Sequence, residues 1–122
     1  MITHASLLPH LDGDSISFHG ELDVLSAPEL SSRIGAVAAS PGGPLLIDLS
    51  GCAFIDSLGI AALVEGSQAM HEQGRGVAIV CRSPQVRRTL ALTGVDGVVS
   101  MCWSREEAIE LLGGPEQAVR SD

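Results

Sequence analysis

The chain has 122 residues, 45% of them hydrophobic, and a formal net charge of −8. That is enough for one globular domain with its own core, and it has the wrong sign for a nucleic-acid backbone or an anionic membrane surface. All seven basic residues are arginines, which removes every mechanism that needs a lysine.

The apolar runs are too short to span a bilayer. The opening Met1-Ile2-Thr3-His4-Ala5-Ser6-Leu7-Leu8-Pro9 lacks the basic start and long apolar stretch of a secretory signal, so the expected location is cytoplasmic. Cys52, Cys81 and Cys102 are odd in number, widely spaced and without a C-x-x-C pair. They are expected to be buried, reduced thiols and not a disulfide framework or a closed zinc site.

In chain order, strands alternate with helices. Ser15-Ile16-Ser17-Phe18-His19-Gly20 alternates polar and apolar residues as a half-buried strand does. A helix follows from Ser26-Ala27-Pro28-Glu29, with Ser26 as cap, Pro28 in the first turn and Glu29 closing a capping box. Leu30, Ile34, Val37 and Ala38 form its inner stripe, and Ser40-Pro41-Gly42-Gly43-Pro44 ends it. Leu45-Leu46-Ile47-Asp48-Leu49 has the continuous apolar character of a strand buried on both faces. It leads through Ser50-Gly51-Cys52-Ala53-Phe54-Ile55 to a second helix at Asp56-Ser57. Ile60, Leu63, Val64 and Met70 share one stripe of that helix, with small Ser67 in its gap, and Gly74-Arg75-Gly76 stops it.

Val77-Ala78-Ile79-Val80-Cys81 is another apolar strand. Ser83-Pro84 opens a third helix, with Val86 and Leu90 facing inward and Gly94 near its end. Val98-Val99-Ser100-Met101 suits a short last strand. The final helix starts at Ser104, with Glu107 as its box partner and Ala108, Leu111 and Leu112 inside, and Gly113-Gly114-Pro115 closes it before a polar tail. With no linker, repeat or low-complexity block, residues 1–122 form a single α/β domain with a core over about residues 12–112, in which at least some strands are parallel.

Most enzyme templates fail on this sequence. Without lysine there is no phosphate-binding loop of the usual form, and a receiver domain built on Asp48 or Asp56 would lack the lysine that accompanies its phosphoacceptor. G-x-S-x-G is absent. His4, His10, His19 and His71 fall in no metal-ligand spacing.

What remains is Phe54-Ile55-Asp56-Ser57-Leu58-Gly59-Ile60, a hydroxyl at the start of a helix whose first amides lack intrahelical partners. There the helix dipole favours an added phosphate. Gly59 would leave the hydroxyl open to a partner's surface. The plainer alternative makes Asp56 and Ser57 ordinary caps.

Gly20-Glu21-Leu22-Asp23-Val24-Leu25-Ser26-Ala27-Pro28-Glu29-Leu30 resembles the first signature of STAS domains, the family shared by anti-sigma factor antagonists and sulfate-transporter tails. Leu46-Ile47-Asp48-Leu49-Ser50-Gly51 and Phe54-Ile55-Asp56-Ser57-Leu58-Gly59 resemble the second. Gly94-Val95-Asp96 and the helix from Ser104 also fit, so that the resemblance covers residues 12–112. It implies a STAS-type mixed β-sheet with about four helices packed mainly on one face, and the Ser57 junction exposed at one end.

The resemblance further implies that Ser57, in Asp-Ser-x-Gly, is a phosphoacceptor in a partner-switching circuit. The unmodified protein would bind an anti-sigma factor that resembles a GHKL-type ATPase and acts as a serine kinase, releasing the sigma factor. Phosphorylation of Ser57 would break that complex, and a metal-dependent PP2C-type phosphatase would reset it. ATP and Mg²⁺ then belong to the partners, and this chain, which is no enzyme, is assigned no cofactor.

Asp23 either forms the turn after a strand or helps position the partner, Asp56 either caps the second helix or shares the partner contact, and Asp48 is structural, accepting from amides near Gly51. The stripe places Ile60 inside and leaves Leu58 as the side chain for a partner. The alternative the family allows is a STAS subunit of a phospholipid-transport ABC system that braces the ATPase.

Overall fold

The computed structural model describes residues 2–6 and 12–113. Met1 and residues 7–9 of the opening segment read for a secretory signal lie outside these residues, as do His10 and the polar tail after Gly113. β1 (Ile2–Ser6) pairs antiparallel with β2 (Asp14–Leu22). Parallel pairs then join β2 to β3 (Leu45–Ile55), β3 to β4 (Val77–Val80), and β4 to β5 (Ser100–Cys102). The order in the sheet is the order in the chain. This is the mixed α/β sheet expected from the alternation of strands and capped helices.

The period of β3 decides where the helices go. Leu45, Ile47 and Leu49 join one apolar cluster with side chains from α1 (Ala27–Ala39), α2 (Ser57–His71) and α3 (Pro84–Leu92). Leu46 faces the other way and joins Ala78, Val80 and Cys102 beneath Ala108 and Leu112 of α4 (Arg105–Leu112). Three helices therefore cover one face and a single short helix covers part of the other. Each fully buried Leu or Ile side chain contributes roughly 1.5–3 kcal/mol, so both faces are needed to hold β3 in the centre.

Local signals account for most of the ends. The Ser83 hydroxyl accepts from the Val86 amide at 3.3 Å. Ser104 accepts from the Glu107 amide at 3.1 Å, while the Glu107 carboxylate accepts from the Trp103 amide at 2.6 Å. The first helix departs from expectation: Ser26 makes no side-chain cap bond to it, so the box with Glu29 does not form. Its hydroxyl instead donates to the Glu21 carbonyl at 2.6 Å and accepts from the Asp23 amide at 3.0 Å.

Three further departures concern strands. β1 was not foreseen. β3 runs on through Ile55, with register shifts against β2 between Ser17 and His19 and between Gly20 and Glu21. The last strand begins at Ser100 because Val95–Gly97 is taken up by a 3₁₀ turn.

Two arginines tie elements together. Arg75 donates through Nε to the Gly43 carbonyl at 2.8 Å and through Nη1 to those of Val37 and Ser40 at 3.1 and 2.9 Å, joining the end of α1 to the approach to β3. Arg105, at the start of α4, reaches across the sheet to Asp48 Oδ2 at 3.1 Å and to the Ser15 hydroxyl at 3.3 Å. The other oxygen of Asp48 accepts from the Ser50 amide at 2.9 Å. Asp48 thus has the structural role expected of it, with a cation that the sequence did not disclose.

Burial pushes the Asp48 carboxyl up, but the hydrogen bonds from Ser50 and the bond and charge of Arg105 outweigh it and hold the pKa below its ordinary value. A depressed folded-state pKa stabilises the protein above the unfolded value, and that stabilisation is lost as pH falls through the folded one. Arg105→Met is therefore expected to cost about 1–2 kcal/mol at neutral pH, a discounted figure because the guanidinium is partly in water. It should also weaken the loss of stability as pH falls below about 4. Urea unfolding of both proteins across that range checks this, and superimposable curves would refute it.

Candidate functional site

Past Leu49, β2 and β3 continue together beyond the end of β4, with Gly20 opposite Cys52, Glu21 opposite Phe54 and Leu22 opposite Ile55. The Asp56 amide then donates to the Leu22 carbonyl at 3.1 Å. This bond sets the turn after β2 beside the first turn of α2, so the residues singled out in two separate motifs come together at one end of the sheet.

Asp56 is the cap of α2. Its Oδ1 accepts from the amides of Leu58 at 2.9 Å and Gly59 at 3.0 Å. Ser57 is the first residue of the helix; it is exposed, and its hydroxyl makes no hydrogen bond among the described residues. The serine is thus free of the capping work that the plainer alternative gave it. Asp56 already occupies the amides that a phosphate at a helix start would otherwise use, so the dipole remains as a local attraction but those two donors do not.

Asp23 forms the turn. Its carboxylate accepts from the Leu25 amide at 3.0 Å and from the Ser26 amide at 3.3 Å, while its carbonyl accepts from the amides of Ser26 and Ala27. With Ser26 bound back to Glu21, the turn holds Val24 and Leu25 outward, 59% and 87% exposed. Neither was singled out from the sequence. The clue was two apolar residues, Val24 and Leu25, set between the turn formers Asp23 and Ser26.

Leu58 is 49% exposed beside Ser57, whereas Ile60 packs partly against the core. Gly59 corrects the reasoning applied to it. It is buried and faces inward, where a Cβ would stand 2.7 Å from Leu22 Cγ, 2.8 Å from the Leu22 carbonyl oxygen and 2.9 Å from Ile55 Cγ1. Its lack of a side chain lets α2 sit against the end of β2 and does not clear the way for a partner.

The rest of the end offers surface and little reactivity. Cys52, Cys81 and Cys102 are buried free thiols, and burial pushes the pKa of each above its ordinary value. Among the described residues, no cluster of His, Cys, Asp and Glu is placed to hold a metal ion. None of their helices is long and apolar enough to cross a membrane.

Residues 8–108 match the family model of the STAS domain. The anti-sigma-F factor antagonist RsfB of Mycobacterium tuberculosis is 33% identical over 81 residues, which is 66% of this chain and 66% of that protein. An anti-sigma factor antagonist from Mycobacterium paratuberculosis superposes with a TM-score of 0.82 at 31% identity, covering 93% of this chain and 96% of that one. An anti-sigma-factor antagonist (STAS) domain protein from Planctomyces limnophilus does so at 0.75 with 26% identity, over 93% and 96% of the two chains.

The packing of Gly59 has a measurable consequence. Alanine normally improves on glycine inside a helix by about 1 kcal/mol, but at Gly59 the new methyl meets backbone that cannot move aside. Gly59→Ala is expected to destabilise by about 1–3 kcal/mol. Gly35→Ala, in α1 with nothing within 4 Å of the new Cβ, is expected to stabilise by about 0.5–1 kcal/mol. Denaturant midpoints that move in the same direction for both would contradict this account.

Proposed function

The chain belongs to the STAS domain family, and from that membership we propose that it is an anti-sigma factor antagonist switched by phosphorylation of Ser57. In this reading it acts by binding, in the cytoplasm, without a catalytic residue or cofactor of its own. The unmodified protein engages an anti-sigma factor with serine kinase activity, of the GHKL-type ATPase class, and so frees a sigma factor. Phosphorylation ends the complex, and a PP2C-type phosphatase restores it.

The observation that carries the reading is an exposed, unbonded serine hydroxyl at the start of α2, on the end that also presents Val24, Leu25 and Leu58 to solvent. Three uncovered apolar side chains give a partner something to bury, at up to ~25 cal/mol per Å² removed from water. The nearby acids have other duties: Asp56 holds the helix cap, and Asp23 holds Leu25 in place. Both are therefore positioning residues, with Ser57, Leu58, Leu25 and Val24 as the contact itself.

A phosphate on Ser57 adds about −1.5 to −2 charges at this surface. Because Asp56 retains the amides of Leu58 and Gly59, the new charge stays directed at the partner, where an uncompensated charge in a desolvated contact costs several kcal/mol. The names of the relatives at 33% and 31% identity favour this reading over a brace for a transporter ATPase.

Ser57→Ala removes no bond that the domain uses, so it is expected to change stability by less than about 0.5 kcal/mol and to bind the cognate anti-sigma factor with undiminished affinity. Ser57→Glu should bind at least about tenfold more weakly, a loss of about 1.4 kcal/mol. Leu25→Ser should weaken binding without affecting phosphorylation-independent stability, because the side chain is almost wholly in water. Calorimetric titration of the three variants, with mass spectrometry after incubation with the kinase and ATP, checks the set. A phosphate mapped to Ser50, or equal affinities for Ser57→Ala and Ser57→Glu, would remove the assignment.

A further inference from the structure

We propose that the groove between α3 and the end of β5 is a second docking surface, made for an acidic segment of a partner protein that carries at least one apolar side chain. The groove, about 350 Å³, is lined by Pro84, Arg87, Arg88, Ala91, Asp96, Met101 and Trp103. It lies where β4 and β5 end, and its role does not rest on the one given to Ser57.

Charge is the first observation. The chain is strongly acidic overall, yet from Gln73 to Val95 it carries four arginines and no acidic residue. Arg82 and Arg88 are exposed and make no side-chain hydrogen bond or ion pair among the described residues. Asp96 supplies the carboxylate in the groove's lining, and the Glu107 carboxylate accepts from the Trp103 amide.

Pre-organisation is the second. Arg87 Nη1 donates to the carbonyls of Cys81 at 2.9 Å and Cys102 at 3.0 Å, and its guanidinium lies 3.6 Å from the centroid of the Trp103 ring. The cation and the aromatic face are thus fixed before any partner arrives, which lowers the entropy lost on binding. Trp103, the sole tryptophan, is nevertheless 55% exposed, and Leu92, at the end of the same helix, is 80% exposed. Arginine beside an exposed aromatic is the composition of a binding hot spot.

The overall charge selects the class of partner. A long polyanion such as nucleic acid would meet the repulsion of the whole acidic surface. A short acidic segment is governed by charges within the Debye length of about 8 Å, and the groove's own lining sets Arg87 and Arg88 against Asp96.

The probe is a short peptide of alternating glutamate and leucine, titrated into the full chain while Trp103 emission and ¹⁵N amide shifts are followed. Its glutamine–leucine counterpart serves as the uncharged control. Shifts should centre on Arg87, Arg88, Ala91 and Trp103. Affinity should fall at least about tenfold in the Arg82→Gln/Arg88→Gln double variant, and again when salt is raised from about 50 mM to about 500 mM. Arg33→Gln, on α1, should leave it unchanged. The double variant alters no bond of the fold, so its thermal midpoint should match the parent's. Equal binding of the uncharged peptide, shifts confined to Leu25 and Leu58, tighter binding of a single-stranded oligonucleotide, self-association of the chain through this groove, or no binding would each overturn the proposal.

Discussion

The β2–β3 pair runs further than any other in the sheet, and the candidate site at its end hangs on that extra length. Parallel strands bonded over eight positions carry two loops past the rest of the sheet, and the Asp56 amide locks the loops together on the carbonyl of Leu22. The extension needs support at each step. Asp48 takes the Ser50 amide where the register first slips, the His19 ring lies over Gly51, and Gly59 admits Leu22 against α2. A change at any of these points would tilt the serine and Leu25 relative to one another without touching either. The site is better regarded as the tip of a braced ribbon than as a patch on a helix.

The arginines show how an acidic chain can hold itself together without lysine. Arg75, Arg87 and Arg105 each bind two or more groups from separate elements, mostly backbone carbonyls at strand or helix ends. A planar guanidinium with several fixed donors can bridge such groups at once, whereas an ammonium is a single point of charge on a flexible stem. The cations thus add donors to carbonyls at the ends of regular structure, some of which, as at Val37 and Cys102, also accept a backbone amide.

Most of the architecture could be read in the residues because its signals are local. Helix starts at Ser83 and Ser104 follow from a hydroxyl and its neighbours, and the double-sided burial of β3 follows from an unbroken apolar run. β1 was hidden because Ile2–Ser6 is short and alternates too little to set it apart from a loop. The continuation of β3 was hidden because its register shifts break the two-residue period after Leu49. At the site, Ser57, Leu58 and the turn at Asp23 were legible from neighbouring residues, but the inward face of Gly59 depends on Leu22 and Ile55, which meet only when β2 and β3 pair. Arg105 and Asp48 are 57 positions apart, beyond the reach of any pattern along the chain.

Strand order that copies chain order has a bearing on how the protein is made. Each strand, as it leaves the ribosome, finds its neighbour already in place, so the sheet can grow from one side without waiting for distant segments. The helical layer on the first face accumulates in the same progression. The second face has to wait: Leu46, Ala78 and Val80 stay open until α4, the last described helix, arrives to cover them. A nascent chain halted before Arg105 would hold a nearly finished sheet with one apolar side bare and the Asp48 carboxylate without its cation, the state most apt to be caught by a chaperone or lost to aggregation.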